Sequence, residues 1–329
     1  MLVLNAEEVR NALPMRDAIE AMKRAYAALS GGRANVPLRT RMEVTSHGAL
    51  SLLMPAFVQA SDGEALAIKV VSLFPQNPAR GLAYIQAAVL VLEPDSGRAL
   101  AVLEGSSLTA IRTGAASGAA IDLLARKESQ VLGVIGAGTQ GRTQLEAACT
   151  VRNIERVFIY DSHPDKAEAF ADEMAGRGPI PATIHVTATP AEAVREANII
   201  CTATTSLTPV FEDTAVKVGT HISAVGSYTP EMQEVPAETI ARARVVVDSR
   251  QACLEEAGDL IQPLRAGLFD ASHIHAELGE IVLGRKAGRV SADQITYFKS
   301  VGIAVQDAVA AQLALDNARR MQLGQEVSF

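Results

Sequence analysis

A doubly wound α/β sheet joined to a second, α+β domain is the fold class this sequence predicts, and three observations predict it. Between Gln130 and Asp248 short apolar strands alternate with helical patterns, the rhythm of a parallel sheet with helices on both faces. The first third has another rhythm, in which β-prone runs are punctuated by Gly, Pro and Asp turns. A chain of 329 residues with 48% apolar and 20% charged content is also long enough for about two domains.

Pro14 opens an apolar-periodic helix over 15–29 that Gly31-Gly32 stops. Strands are expected over 49–57, 65–74 and 83–92, separated by Asp62-Gly63, Pro75 to Pro78 and Asp95 to Gly97. Ser106 or Ser107 is placed to cap a long helix running to about Leu124, whose positions 111–120 are mostly small, so another element must approach it closely. The parallel sheet takes strands from 130–135, 156–161, 183–187, 198–204, 221–226 and 244–248, with Thr189-Pro190 opening one helix between them. An alanine-rich helix over 302–323 is expected to return to the N-terminal domain.

Composition narrows the function classes. Thirty Lys plus Arg against thirty-seven Asp plus Glu give a net charge of −7, which disfavours nucleic acid and anionic membranes as partners. No stretch reaches transmembrane length, and the acidic and basic residues at 7, 8 and 10 interrupt any secretory core. Three widely spaced cysteines, Cys149, Cys201 and Cys253, form no disulfide framework and suit the cytosol. Cys201 is read as a packing residue, since no adjacent base is evident. His273, His275 and Glu277 match no standard ligand spacing, so no metal is assigned.

The strongest motif is strand 131–135 followed by Gly136-Ala137-Gly138-Thr139-Gln140-Gly141 and a helix. Gly136 permits the tight turn, Gly138 lets a pyrophosphate approach backbone N–H groups, and Gly141 lets helix and strand pack closely. Asp161 ends the next strand twenty residues after Gly141, where a carboxylate accepts ribose hydroxyls. A nicotinamide dinucleotide is the implied cofactor. Asp161 favours NAD(H) over NADP(H), although Arg142 and His163 are near enough in sequence to compensate for a 2′-phosphate. Thr202, Ala203 and Thr204 end the fourth strand and Val225, Gly226 and Ser227 the fifth, at the carboxyl edge expected to line the nicotinamide half.

A second group of residues is cationic. Alternation puts Arg39 and Arg41 on one strand face, Lys69 interrupts an apolar strand, and Arg112 lies in the small-residue helix. Each alone suits a solvated charge. Together they suit a small carboxylate substrate, because a buried anion must be paired. Asp307 and Glu104 fit either as partners of these cations or as surface acids.

With these residues in hand, the chain resembles the ornithine cyclodeaminase/μ-crystallin family along nearly its whole length. The resemblance is carried by Lys69 with Phe74-Pro75-Gln76-Asn77 and Gly81-Leu82, by 108–115 with Arg112, by 136–140, and by Lys299-Ser300-Val301-Gly302. It implies a Rossmann domain over 116–302 inserted in a substrate-binding and dimerisation domain of 1–115 plus 303–329, and a homodimer. It further implies that Lys69 and one of Arg39 and Arg41 contact substrate, that Arg112 lies between substrate and cofactor beside Thr113, and that Val301 faces the substrate. By the same carry-over Thr139, Gln140, Asp161, Thr202, the segment 225–228 and Ser300 contact the dinucleotide.

One departure bears on activity. Where cyclodeaminases of the family carry a catalytic aspartate in a Gly-Gly-Asp-x-x-Pro-type loop, this chain has Gly226-Ser227-Tyr228-Thr229-Pro230, with Tyr228 at the acid's position and Met232 in place of a lysine. Cyclodeamination needs several proton transfers, and a tyrosine of reference pKa near 10 is a poor base. The expectation is NAD(P)H-dependent reduction of Δ1-pyrroline-2-carboxylate or Δ1-piperideine-2-carboxylate to L-proline or L-pipecolate, with Lys69 and Arg112 catalytic and Tyr228 closing the ring pocket. Ornithine cyclodeamination, oxidation of a linear amino acid and a non-catalytic binding role are the alternatives.

Overall fold

The computed structural model describes residues 1–328. The chain folds into two compact units, Met1–Arg112 with the segment from Ile303 onward, and Thr113–Gly302.

The first unit is built on a mixed eight-stranded sheet: β1 (Leu2–Leu4), β2 (Ala34–Asn35), β3 (Thr40–Val44), β4 (Ala49–Ala60), β5 (Gly63–Leu73), β6 (Ile85–Leu92), β7 (Ala99–Glu104) and, from the end of the chain, β16 (Gln325–Glu326). Strands β3 to β7 form an antiparallel meander, and β1 adds to β7 in parallel. Alternation divides the side chains between two faces. One presents Met54 and Ala56 of β4, Ala67, Lys69 and Val71 of β5, and Val89 and Val91 of β6, all buried. Helix Met15–Ser30 packs against β4 and helix Ala304–Met321 against β4 and β5, so the last helix does return to this unit. The opposite face carries Leu53 and Phe57, Ile68 and Val70, and Leu90 and Leu92 and is apolar too, yet it is only partly covered: Val70 stays 41% and Met42 53% exposed.

Short strands explain what the sequence did not reveal in this unit. The three residues of β1 are too few for a period-2 pattern. Strand β3 starts at Thr40, so Arg39 precedes it and alternation cannot relate Arg39 to Arg41. The long helix begins at Gly105, and its first turn is capped by the Glu104 carboxylate, which accepts from Ser106 N at 2.7 Å and Ser107 N at 2.8 Å. Neither Ser106 nor Ser107 is the cap, because a carboxylate is the better match for the positive helix end. Glu104 is thereby accounted for as a helix cap.

The second unit is an eight-stranded, wholly parallel sheet: β8 (Val131–Ile135), β9 (Arg156–Tyr160), β10 (Ile184–Val186), β11 (Ile199–Thr202), β12 (His221–Ala224), β13 (Arg244–Val247), β14 (Ile274–Glu277) and β15 (Thr296–Lys299). The order is β10-β9-β8-β11-β12-β15-β13-β14. The order in which strands are added therefore reverses between β8 and β11, and that switch point is where sheets of this kind open a crevice at their carboxyl ends. Apolar side chains cover both faces, one layer around Ile200, Ile222, Val245 and Tyr297, the other around Leu132, Val134, Ile159 and Phe170.

The small residues expected to admit a close neighbour do so at Gly114. A Cβ there would lie 2.5 Å from Thr143 O and 2.6 Å from Thr143 Cβ on helix Thr139–Val151. Replacing Gly114 by Val is expected to cost about 1–3 kcal/mol through overpacking, measured as a lower urea midpoint with an unchanged slope.

Candidate functional site

Two groups of residues are built, one in each unit. In the first, Lys69 sits opposite Met54 and Val89 on the face that the helix Ala304–Met321 covers. Its ammonium is 1% exposed and must find a partner within the core. That partner is Asp307, in the first turn of the helix and also 1% exposed: Lys69 Nζ lies 2.7 Å from Asp307 Oδ2, and Arg112 Nε lies 3.0 Å from Asp307 Oδ1. Asp307 is thus the acid bridging the two cations, and its place at a helix N-terminus adds further stabilisation of its charge. Gln306 completes the cluster. It accepts from Arg112 Nη1 and from Ile303 N, both at 2.8 Å, and donates to Tyr26 Oη at 2.8 Å.

Burial brings the Lys69 pKa down to about 8; the Asp307 charge opposes this, while Arg112 and Arg39 add to it. Arg39 is half-buried and its charge reaches Lys69, whereas Arg41 projects from β3 into solvent. Of the two arginines, Arg39 belongs with the cluster. Two buried cations, Lys69 and Arg112, face one carboxylate, an excess of positive charge that a small anion would neutralise.

In the second unit, the glycine loop has the geometry its spacing predicts. Gly136 has φ +106, and a Cβ on it would meet Ala203 O at 2.7 Å, next to the switch point. A Cβ on Gly141 would stand 2.1 Å from Gly136 O. Gly138 precedes the helix in extended conformation, and a Cβ there would meet nothing within 4 Å. The loop is therefore closed behind and open in front, as a pyrophosphate at a helix N-terminus requires. Thr139 is exposed and Gln140 half-buried at that terminus. Thr113 and Gln144 are buried behind it, Gln144 Nε2 donating to Thr113 O at 3.4 Å.

Asp161 follows β9 and is drawn toward the same loop: Oδ2 accepts from Ala137 N and Oδ1 from His163 N, both at 2.9 Å. Burial pushes its pKa up, but these N–H groups outweigh burial and the net direction is down. The exposed His163 ring stays 3.4 Å from Asp161 Oδ1. Arg142 is committed elsewhere: Nε and Nη2 donate to Glu173 Oε2 at 2.8 and 2.7 Å, and Nη1 to Ala137 O at 2.6 Å. This group fits the adenosine and pyrophosphate half of a dinucleotide whose ribose carries no 2′-phosphate.

At the carboxyl edge of the sheet the structure reveals three buried acids that sequence reasoning missed: Glu234, Asp248 and Asp259. Thr202 Oγ1 donates to Glu234 at 2.9 Å. Ser300 Oγ donates to Asp248 Oδ2 at 2.8 Å, and Val301 N and Gly302 N reach the same oxygen at 3.0 and 2.9 Å. Ser227 is fully buried, its Oγ donating to Met232 O and accepting from Asp259 N. The hydroxyl protons of Thr202, Ser227 and Ser300 are thus engaged within the protein. Ala203, Thr204, Tyr228 and Val301 remain partly exposed, and Val225 is buried. Asp248 had a legible signal, a strand-end acid like Asp161. Elsewhere, His273 Nε2 faces Ile240 O and His275 Nε2 faces Ala287 O, each at 2.9 Å. Burial pushes the Cys201 thiol up and leaves it a poor nucleophile.

Three relatives set these arrangements in context. A Delta(1)-pyrroline-2-carboxylate reductase of Bacillus cereus is 43% identical over 330 residues, covering 100% of both chains. The structure of Thermococcus litoralis Delta(1)-pyrroline-2-carboxylate reductase in complex with NADH and L-proline superimposes with a TM-score of 0.94 at 44% identity, over 99% of this chain and 100% of that one. An archaeal alanine dehydrogenase dimer with bound NAD gives a TM-score of 0.91 at 34% identity, over 100% and 99%. The model of one family matches residues 1–322, from the first strand through the helix that carries Asp307, and the chain is therefore a member of the ornithine cyclodeaminase/mu-crystallin family.

Proposed function

We propose that this protein is an NAD(P)H-dependent oxidoreductase that reduces a small cyclic ketimine carboxylate, Δ1-pyrroline-2-carboxylate or Δ1-piperideine-2-carboxylate, to L-proline or L-pipecolate. The observation that carries this reading is the buried Lys69–Asp307–Arg112 cluster with its excess of positive charge. An anionic ring carboxylate supplies the missing negative charge, and the fork of an arginine matches its two oxygens. The kinship with reductases whose structure holds NADH and L-proline supports the same substrate class.

In this mechanism Arg112 and Arg39 hold the carboxylate and fix the ring. A bound reduced nicotinamide supplies the hydride that the imine carbon accepts. Lys69 supplies the proton that the ring nitrogen takes up, directly or through one water, and Asp307 keeps Lys69 aimed and charged. Only one hydride and one proton are needed, so the absence of an acid between Gly226 and Pro230 is no obstacle. Cyclodeamination would require one there, and Tyr228 instead bounds the ring. Gly136, Gly138, Thr139, Gln140 and Gly141 cradle the pyrophosphate, and Asp161 takes the ribose hydroxyls. The segments 202–204, 225–228 and 300–301 receive the nicotinamide half. The partly uncovered apolar sheet face around Val70 and Met42 suits pairing with a second copy, and three free buried cysteines suit the reducing cytosol.

Adding Δ1-pyrroline-2-carboxylate and NADH to the protein is expected to consume the 340 nm absorbance of roughly one NADH per product formed, the stoichiometry of a single hydride transfer. Ammonia release from L-ornithine without net cofactor change, or turnover confined to alanine, would replace this reading. Lys69→Met should lower kcat by about 10²–10⁴, the range of a general acid. The protonated lysine is the active form and its pKa is about 8. In the parent, kcat/KM should accordingly be level below that pH and fall above it, a limb absent from the variant's residual rate. NADH should be preferred to NADPH, and Asp161→Ser should narrow the ratio of their kcat/KM values at least several-fold. Light scattering should give twice the chain mass, and Val70→Glu should shift it toward the monomer.

A further inference from the structure

Glu234 carries no assigned role, is fully buried and stands at the ends of two adjacent strands. Strands β11 and β12 pair through Thr202 and Ala224 and then leave the sheet, each in its own loop. The Glu234 carboxylate bridges the gap. Oε2 accepts from Thr202 Oγ1 at 2.9 Å and from Gly226 N at 2.7 Å, and Oε1 accepts from Thr204 N at 2.6 Å. All three partners donate, which is what an ionised carboxylate can satisfy and an amide cannot. The contact also accounts for Gly226: a Cβ there would stand 2.4 Å from Glu234 Oε1 and 2.2 Å from Thr204 O.

The acid is itself held in place. Glu234 N donates to Asp259 Oδ1 at 2.7 Å, Tyr297 Oη donates to Asp259 Oδ2 at 3.0 Å, and Lys299 Nζ lies 3.4 Å from that oxygen. Burial and the Asp259 charge push the Glu234 pKa up, the net direction, against the Lys299 charge and the Thr204 N–H that favour the ionised carboxylate.

We propose that Glu234 is the positioning residue for the nicotinamide half of the cofactor, fixing the backbones of Thr204 and Gly226 and the Thr202 side chain as one rigid wall. The proposal rests on the dinucleotide reading above. It makes a prediction that a general structural role does not: the adenosine half, held by the Gly136–Gly141 loop and Asp161, should be indifferent to Glu234.

The test measures binding of NADH and of ADP-ribose, which lacks the nicotinamide ring, to the full chain and to Glu234→Gln by calorimetry. The amide keeps one acceptor and turns donors toward a backbone N–H. NADH should bind at least tenfold more weakly while ADP-ribose stays within twofold. Glu234→Asp, which keeps the charge on a shorter stem, should weaken NADH by an intermediate factor and serves as the readout if the amide variant does not fold. Equal weakening of both ligands, or of neither, would overturn the proposal. A parent that binds neither ligand would instead overturn the dinucleotide reading on which it stands.

Discussion

The buried carboxylate of Asp307 is the constraint on which the first unit depends. Two buried cations, Lys69 and Arg112, lie against its two oxygens at 2.7 and 3.0 Å. Removing one member of such a group strands the others, at a cost of about 3–5 kcal/mol. A helix, a strand and a second helix are therefore tied to one point in the interior, and Gln306 extends the tie to Tyr26. The arrangement is poor as a means of gaining stability, since apolar side chains would fill the same space at lower cost. The proposed function gives it a chemical justification: a rigid, nearly dry set of positive groups orients an anion without prior rearrangement.

The second unit solves a related problem with backbone groups. Parallel strands end in loops whose N–H groups have no sheet partner, and here buried acids collect them: Glu234 between β11 and β12, Asp248 beneath 300–302, and Asp259 under the segment holding Glu234. Each loop is fixed by hydrogen bonds from its backbone to a buried carboxyl group. On the proposed reading, substrate and cofactor groups would meet surfaces that have already lost their conformational freedom, so less of the binding energy is consumed in ordering them.

The legible parts of this molecule were those with local signals. The glycine loop and Asp161 were readable because the turn, the helix end and the following strand impose their own spacing, and Lys69 because charge inside an apolar strand demands a reason. Strands β14 and β15 escaped notice. The first carries His275 and Glu277, the second ends in Lys299, and their polar residues are acceptable only through partners distant in sequence: Ala287 O for His275, Arg250 N for Glu277 and Asp259 for Lys299. Asp307 was ambiguous for the same reason, since helical periodicity gives the face but not the strand that face meets. Arg39 and Arg41 could not be separated in the sequence, because alternation applies only inside a strand and β3 starts at Thr40, whereas burial and proximity to Lys69 are tertiary properties.

The Arg142–Glu173 pair has a consequence for how the cofactor preference of such a chain drifts over evolutionary time. On the proposed reading, exchanging Asp161 alone removes a repulsive charge and leaves only the exposed His163 ring beside the ribose site, because Arg142 stays bonded to Glu173 and to Ala137 O. Exchanging Glu173 alone releases Arg142 while the old acid still stands guard. A full change of cofactor preference on this scaffold then asks for paired exchanges at Asp161 and Glu173 and not for either one alone.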